Sequence, residues 1–541
     1  MHCIVLIVLA AQSQAPAPAL SARDSAFHAL NRLAYGARPG EADSVARFGV
    51  MRWIERQLDA DHVPDQHLAD REREFKILSY DRADLAERYR DAVRERQRLQ
   101  REAAASGDST RMREAPEAPE ARPRPMQEFR ELGGELQQLA IVRAAVSERQ
   151  LREVMIDFWT NHFNVFGGKG ADRFLMPSYI EETIRPRALG RFEDLLIASA
   201  RSPAMLFYLD NAQSVAPGSA PPFPLPALRR GGQGERSPRF GMPRFGQNEM
   251  PEARRRRQPT GINENYAREL LELHTLGVDG GYTQQDVIDV ARIFTGWSIE
   301  RPELGAGFVY HDWAHDQGDK VVLGQKFESA GENEGLRLLR FLANQHATMH
   351  HVSAKLCARF VADEPPDGCI DAAVVAWQKT RGDVRAVLRA IFTSPDFWSP
   401  RAIRSKVKTP FEFVVSAVRA TAIEPDDTPR LAQLVARLGE PLYQQPAPTG
   451  YAETEAHWVN SGALLARMNA AMMLAKDCAS IPALDDHTQL VDMIDQKLLA
   501  GAMSAHTRSV ILEQLADIRD PVQTRSLAVG LALGGPEFQK Q

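Results

Sequence analysis

The sequence predicts an all-α protein, a large multi-helix domain with an exposed charged helical arm and a long disordered loop. Nearly every segment of ordered composition shows apolar residues at helical spacing, and no convincing set of alternating strands is found. Capping residues mark helix starts at Asn263 and Thr283, and Gly277 marks a helix stop. The 541 residues, 44% hydrophobic and 25% charged, are enough to bury a sizeable core.

The N-terminus predicts an export signal. Residues 4–11 form a short apolar run, and small residues and prolines follow as far as Ala19. Because this run is too short to span a bilayer, residues 1–19 are interpreted as a signal peptide and the protein as exported, periplasmic or extracellular. Only His2 stands where basic residues are usual, so the alternatives are an apolar N-terminal helix or a mis-assigned start. No later stretch is apolar enough to cross a membrane, so no transmembrane helix is expected in the mature chain.

The remaining chain, 24–541, is predicted to form one helical domain. Residues 72–125 are rich in Arg and Glu, which predicts an inserted, salt-bridged helical arm. Residues 211–260 are rich in Pro, Gly and Arg and predict a disordered loop. One brief hairpin is expected within the irregular stretch 305–327. Helices are predicted over 27–33, 44–58, 132–164, 192–209, 263–297, 334–361, 370–392, 410–420 and most of 431–538.

Charge and motif content disfavour several classes of protein. A net charge of −5 and a pI near 6.3 give no pull toward nucleic acid, so no nucleic-acid partner is expected. The sequence has no GxSxG or HExxH motif, no P-loop and no glycine-rich dinucleotide fingerprint after a strand. Serine hydrolases, zincins and nucleotide-binding proteins are therefore disfavoured.

The cysteines leave two interpretations open. Cys357 and Cys369 flank a short loop, and an oxidising compartment would permit a disulfide between them. The alternative is that these two and Cys478 are buried thiols. No spacing of Cys and His is typical of a structural zinc site.

Several segments occur in an order that is typical of one protein family. They are residues 30–36, 157–163, 263–277, 281–284, 291–297, 315–316, 323–324, 360–363 and 446–451. From about Phe27 to the C-terminus the chain resembles the bacterial family called domain of unknown function 1800, and the block 263–297 is quite specific to that family. The Arg/Glu arm and the Pro/Arg loop look like insertions, and Tyr451 stands where a tryptophan is common.

The resemblance implies an exported, mostly helical protein. Genes of such proteins often lie beside those of a second secreted family, similar to alkaline phosphatases and sulfatases. A secreted phosphatase- or sulfatase-like protein is therefore an expected partner by analogy. The family offers no established catalytic or binding residues, so the candidate site residues have to be inferred from the sequence.

The segment 263–277 carries the densest polar chemistry of the chain. Glu264, Arg268 and Glu272 follow at i,i+4 spacing, which forms either an exposed charge ladder or part of a site. Glu269 lies on the flank of the apolar face and can approach it. The candidate catalytic residues are Glu264, Arg268, Glu269, Glu272 and Arg292.

The next helix begins with a capping box. Thr283 and Asp286 have the spacing that satisfies the first backbone N–H groups, which accounts for both residues without catalysis. Arg292 on this helix is expected to reach a carboxylate of the preceding helix. His315 lies in a stretch whose glycines favour a loop, where Asp316 or another carboxylate could orient it.

Two histidines are predicted to point into the core. His162 continues the apolar stripe of the helix 151–164, and His274 lies on the apolar face of 263–277. Metal sites in helical bundles use such histidines, so His162, His274 and His315 are candidate ligands for a divalent or transition metal ion. The Glu-x-x-His spacing of di-iron bundles is missing. The alternative is that each histidine is a core residue with structural hydrogen bonds.

These features predict one of two functions. In the first, the protein is an exported enzyme or ligand-binding protein with a central His/Glu/Arg cluster, where a metal ion acts as a Lewis acid or positions water. In the second, it is a non-catalytic envelope assembly or interaction protein, and the cluster is a buried ion-pair network. A cluster open to a cleft favours the first function, whereas a closed and fully paired network favours the second.

Overall fold

The computed structural model describes residues 20–106, 125–219 and 261–541, and these residues confirm the all-α prediction. The helices before residue 220 are α1 (Ala22–Leu33), α2 (Glu41–Phe48), α3 (Val50–Leu58), α4 (Gln66–Glu72), α5 (Arg82–Ser106), α6 (Pro125–Val146), α7 (Gln150–His162), α8 (Asp172–Ser178), α9 (Phe192–Ala200) and α10 (Pro203–Tyr208). A π-helical turn, Tyr179–Ile184, follows α8.

The helices after residue 260 continue the same architecture to the C-terminus. They are α11 (Glu264–Glu269), α12 (Gln284–Ile293), α13 (Glu332–Ala343), α14 (His346–Phe360), α15 (Asp367–Thr380), α16 (Val384–Thr393), α17 (Pro410–Thr421), α18 (Arg430–Arg437), α19 (Glu455–Trp458), α20 (Ser461–Lys476), α21 (His487–Leu498), α22 (Ala505–Leu515), α23 (Pro521–Gly534) and α24 (Pro536–Gln539). None of the described helices is long and apolar enough to cross a membrane.

Two small hairpins interrupt the helices between α12 and α13. Strand β1 (Trp297–Ile299) pairs antiparallel with β2 (Phe308–Tyr310), and β3 (Lys320–Val322) pairs antiparallel with β4 (Gln325–Phe327). The prediction of a single hairpin found only the second of them. The first was missed because Trp297 was assigned to the end of the preceding helix.

The predicted arm and loop are only partly described. The predicted signal peptide (residues 1–19), the stretch 107–124 and the stretch 220–260 lie outside the described residues. The loop prediction nevertheless begins too early, because Asn211 is fully buried and its side-chain amide donates to the carbonyl of Trp297 at 3.0 Å. A buried side chain with a main-chain partner belongs to the fold.

Helix α5 is salt-bridged, as its composition predicts, but it lies along the body of the protein. Arg98 pairs with Glu102 at 3.7 Å on the solvent side. On the other side Leu85 and Ala92 are buried where α5 packs on α6 and α8. The first part of the predicted arm is therefore a wall of the domain.

The segment 263–277 begins and ends as predicted but is not one regular α-helix. The Asn263 side chain accepts from the N–H of Asn265, and Gly277 ends the segment with a left-handed φ of +85°. Between these caps, Leu270–Thr275 widens into a π-helical turn. The capping box of Thr283 and Asp286 at the start of α12 is confirmed.

The π-helical turn Leu270–Thr275 is stabilised by its own side chain. The Thr275 hydroxyl donates to the carbonyl of Leu270 at 2.6 Å, and this satisfies an acceptor that the wider turn releases. Turns of this kind are frequent at functional sites, and this one carries His274.

Cys357 and Cys369 form a disulfide that joins α14 to α15. Their Cα atoms lie 6.2 Å apart, whereas Cys478 is a buried free thiol. Of the two interpretations, a disulfide or buried thiols, Cys357 and Cys369 therefore follow the first.

Candidate functional site: a carboxyl-lined cleft

Helix α7 has one apolar face and one polar face. Val154, Phe158 and Trp159 are buried in the core. Asp157 and Asn161 lie four residues apart and therefore share another face of the helix. This polar face meets α14 and the loop 440–453.

Two asparagines hold the loop 440–453 against α7. The Asn161 side chain accepts from the N–H of Tyr451 at 2.6 Å and donates to the carbonyl of Tyr451 at 2.9 Å. The Asn164 amide donates to the carbonyl of Ala447 at 2.8 Å. These bonds satisfy main-chain groups that an irregular loop would otherwise leave unpaired.

Gly450 makes this close approach sterically feasible. Its φ is +73°, and a Cβ built at this position would lie 2.4 Å from Oδ1 of Asn161. Both the left-handed backbone and the contact exclude a larger side chain.

A cleft of about 50 Å³ lies between α7, α14 and the loop 440–453. Its charged lining residues are Asp157, Arg359, Glu440 and Glu453. An adjoining cavity of about 40 Å³ shares Asp157 and Tyr443 with the cleft. Three carboxyl groups and one guanidinium group therefore meet around a small polar space.

Two carboxyl groups of the cleft have pKa values near neutrality. Burial raises the pKa of Asp157 to about 7, although Arg359 opposes the shift. Burial, and then the neighbouring Asp157, raise the pKa of Glu440 to about 8. Glu440 accepts from the N–H of Phe411 at 2.8 Å, whereas no described residue donates a hydrogen bond to the half-buried Asp157 carboxyl. The Asp157 carboxyl therefore lines the cleft without a hydrogen-bond donor among the described residues.

Arg359 does not neutralise Asp157, because it is engaged elsewhere. It forms a buried ion pair with Glu412, and its Nε lies 4.0 Å from Oε2 of Glu453. Burial alone would raise the pKa of Glu412, but Arg359 lowers this pKa to about 2. Glu412 is therefore ionised at neutral pH and supplies the counter-charge of Arg359.

A basic cluster lies beside the cleft, about one helical turn away on both α7 and α14. Its members are His162 on α7, His351 and Lys355 on α14, and His274 on the π-helical turn. The ring centroid of His162 lies 6.3 Å from that of His274 and 6.4 Å from that of His351. Nε2 of His162 lies 3.3 Å from the carbonyl of His274, and Nδ1 lies 3.1 Å from Nζ of Lys355. This geometry assigns the proton to Nε2, so that Nδ1 accepts from the ammonium group.

The histidines of the basic cluster are neutral at ordinary pH. Burial, followed by the charge of Lys355, lowers the pKa of His162 well below its usual value and that of His274 to about 3. Nε2 of His274 is buried and has no hydrogen-bond partner among the described residues. Neutral imidazoles suit transition metals, but the described chain contains no group of three His, Cys, Asp or Glu side chains placed to hold a metal ion.

His315 does not join the other two predicted metal ligands. It lies in a separate network where its Nε2 is 3.0 Å from Oε2 of Glu334, and Nζ of Lys320 is 3.1 Å from Oε1 of the same carboxylate. All three side chains are completely buried. The structure therefore does not bring His315 together with His162 and His274, since His315 is oriented by a carboxylate of α13.

Arg292 also has other partners than expected. It forms a bidentate pair with Asp316, with both N–O distances at 3.0 Å, and its Nη1 lies 2.7 Å from Asp289. The expectation that Arg292 reaches the preceding helix is wrong, because carboxylates of its own helix and of the following loop lie closer. Through its pair with Asp316, Arg292 thus borders the network around His315.

The remaining candidates on the 263–277 segment stay outside the basic cluster. Arg268 lies 3.4 Å from Glu264, and Gln284 bonds to both, with 41% and 43% of the two charged side chains exposed. These contacts form a surface charge ladder. Glu269 and Glu272 are half-buried, and burial followed by Glu272 raises the pKa of Glu269.

Sequence reasoning missed most of the residues that line the cleft. A usable signal existed on α14, where His351, Lys355 and Arg359 follow at i,i+4 spacing and share one face. Glu440 and Glu453 lie in an irregular loop, which has no periodicity to reveal their direction. Two segments that carry the family resemblance do meet here, since one contains Asp157 and Asn161 and the other contains Tyr451.

The fold and the site define a helical protein in which a carboxyl-lined cleft and a basic cluster lie on the same pair of helices. The chain belongs to the family described as "Protein of unknown function (DUF1800)", whose model matches residues 28–540. The family resemblance is therefore confirmed. No curated protein and no solved structure matches the chain.

Proposed function

We propose that this protein is an exported hydrolase that uses general acid–base catalysis at the carboxyl-lined cleft. The observation that carries the proposal is the Asp157 carboxyl, which faces the cleft without a hydrogen-bond donor and has a pKa of about 7. Proton transfer is most efficient when the pKa of the catalytic group lies near the working pH. A structural carboxylate would instead be fully paired.

The two titrating carboxyl groups take different roles. Ionised Asp157 accepts a proton from a water molecule in the cleft, whose volume of about 50 Å³ suits water and the end of a polar substrate. Glu440, with a pKa of about 8, stays protonated and donates a proton to the leaving group.

Export is the second part of the proposal. The disulfide between Cys357 and Cys369 supports it, because disulfides persist in oxidising compartments such as the periplasm. The bridge also fixes the end of α14 that carries Arg359. The apolar run at residues 4–11 supports the same localisation.

The proposal is tested with the purified mature protein and chromogenic esters, phosphate esters, sulfate esters and glycosides. Activity is expected to follow a bell-shaped pH profile between the two pKa values, about 7 and about 8. Asp157→Asn and Glu440→Gln should each remove the activity, and the exposed Glu264→Gln serves as the matched control. A folded Asp157→Asn variant with full activity overturns the proposal.

A direct titration of the carboxyl group tests the proposal without any substrate. Carbon-13 NMR of aspartate-labelled protein should show one carboxyl resonance that titrates near neutral pH and is lost in Asp157→Asn. If the aspartate resonance that is lost in Asp157→Asn titrates in the acid range, Asp157 is not the base.

A second candidate function rests on the network around His315. Its completely buried side chains form a closed cluster, as expected for an envelope assembly or interaction protein whose charges fix the packing. In that role the family resemblance supplies a secreted phosphatase- or sulfatase-like partner. This candidate accounts for His315 and Glu334 but leaves the unpaired Asp157 unexplained.

A further inference from the structure

A second, larger cavity lies beside the middle of α5. It has a volume of about 420 Å³ and is enclosed by α5, α6, α8 and the turn at Gly167. Tyr89, Phe129 and Phe166 contribute aromatic rings to its walls. A cavity of this size with apolar walls fits a small organic molecule.

The charges of this cavity all have one sign. Arg96, Arg130 and Arg173 line it from three different helices, and no aspartate or glutamate is among its lining residues. Arg173 donates to the hydroxyl of Tyr89 at 3.1 Å, and none of the three arginines forms an ion pair with a described residue. All three are exposed at the cavity.

Other arginines of α5 are paired with carboxylates. Arg98 lies 3.7 Å from Glu102, and Arg94 lies 3.2 Å from Asp91. Arg96, in contrast, brings to the cavity a guanidinium group that has no carboxylate partner among the described residues. Three such groups around one space make a binding site for an anion.

The cavity shares a wall with the carboxyl-lined cleft. Tyr443 lines the cavity, the cleft and the smaller space beside Asp157. Its backbone has a left-handed φ of +61°, which is costly for a residue with a side chain. The N–H of Gly167 donates to the carbonyl of Tyr443 at 2.9 Å and holds it in this conformation.

We propose that this cavity binds an anionic ligand with an aromatic or apolar body, such as an aryl sulfonate, sulfate, phosphate or carboxylate. The rings of Tyr89, Phe129 and Phe166 contact the body, and the guanidinium groups contact the anion. The site goes beyond the acid–base function and stands whether or not the cleft is catalytic.

Anilinonaphthalene sulfonate is the probe for a fluorescence titration of the full mature protein, with calorimetry to count the sites. One saturable site is expected, and Arg130→Gln and Arg173→Gln should each weaken binding about tenfold, since each removes a charge-assisted hydrogen bond. Arg98→Gln, on the outer side of α5, is the matched control. The uncharged analogue phenylnaphthylamine should bind at least about tenfold more weakly.

A cavity-filling variant locates the site. A Cβ at Gly133, on the cavity wall of α6, would meet nothing within 4 Å, so Gly133→Leu should fill the space without harming the fold. Gly134→Ala is the control, because its Cβ would point to Pro429. Loss of binding in Gly133→Leu alone supports the proposal. Equal binding by wild type and Gly133→Leu, or by the sulfonate and the uncharged analogue, overturns it.

Discussion

Asn161 and Tyr451 form a reciprocal pair in which one side-chain amide satisfies both main-chain groups of one loop residue. The N–H of Tyr451 donates to Oδ1 at 2.6 Å, and Nδ2 donates to the carbonyl of Tyr451 at 2.9 Å. The geometry resembles the pairing of neighbouring β-strands, with a side chain in place of one strand. These two hydrogen bonds therefore fix the position of the loop that contains Glu440 against the helix that contains Asp157.

Gly450→Ala should disrupt the packing of this loop on the helix. The new Cβ would both occupy a left-handed backbone position and lie 2.4 Å from Asn161, so we expect a loss of about 3 kcal/mol or more in unfolding free energy. Gly324→Ala is the matched control, because Gly324 has φ +76° but no atom within 4 Å of its Cβ position, and only about 1 kcal/mol should be lost. Urea denaturation measures both. Equal losses would mean that the contact with Asn161 contributes nothing.

Glu334→Gln should destabilise the protein strongly. The substitution removes the nearer counter-charge of the completely buried Lys320 and leaves only Asp316, at 3.7 Å, and breaking a buried pair costs about 3–5 kcal/mol. Glu264→Gln removes an exposed pair and should cost less than about 1 kcal/mol. Thermal and urea unfolding give the comparison. A small effect of Glu334→Gln would mean that the buried pair contributes little to stability.

The contribution of Asp157 to stability should fall as the pH rises toward neutrality. Burial raises the pKa of Asp157 from 3.8 to about 7, so between these values the folded state binds more protons than the unfolded state. Its contribution is complete below pH 3.8 and is lost as the pH rises through about 7. Glu440, raised from 4.5 to about 8, acts in the same direction.

Asp157→Asn isolates this contribution. The variant should flatten the dependence of unfolding free energy on pH by up to about 1.4 kcal/mol per pH unit, the limit for one proton. Urea midpoints measured at several pH values from acid to neutral provide the test. The buried histidines contribute stability that is lost as the pH falls, which is the opposite direction. This contribution is the same in the variant and the wild type. An unaltered slope contradicts the raised pKa of Asp157.

Reduction of the Cys357–Cys369 disulfide should destabilise α14 and α15. The bridge closes a loop with a sequence separation of 12, for which the chain-entropy model gives about 3 kcal/mol. Cys357→Ala combined with Cys369→Ala should lower the urea midpoint, and a reducing agent should then have no further effect. Mass spectrometry of the oxidised wild type should find the linked peptides. Free thiols at Cys357 and Cys369 in protein purified under oxidising conditions would refute the bridge.

Features with nearby partners could be predicted from the sequence. The caps at Asn263 and Thr283 were found because each side chain bonds to a main-chain group two or three residues away. Helix periodicity likewise showed that His162 and His274 point inward, and they are neighbours. The π-helical turn escaped because a single wide turn changes the apolar pattern too little to be seen.

The cleft itself could not be predicted. Asp157 and Glu440 are far apart in the chain, and their proximity depends on how a helix and an irregular loop pack. Periodicity shows that a side chain faces the core, but it does not show which part of the core. His315 was for this reason grouped with His162, although Glu334 and Lys320 enclose it elsewhere.

The position of Tyr443 has a thermodynamic consequence. This residue lines both the arginine-lined cavity and the cleft that contains Asp157. A ligand that shifts this residue changes the surroundings of the carboxyl group and hence its affinity for a proton. By reciprocity, protonation of Asp157 then changes the affinity for that ligand by the same factor. Ligand binding in the cavity and proton binding at Asp157 are therefore linked by one coupling free energy.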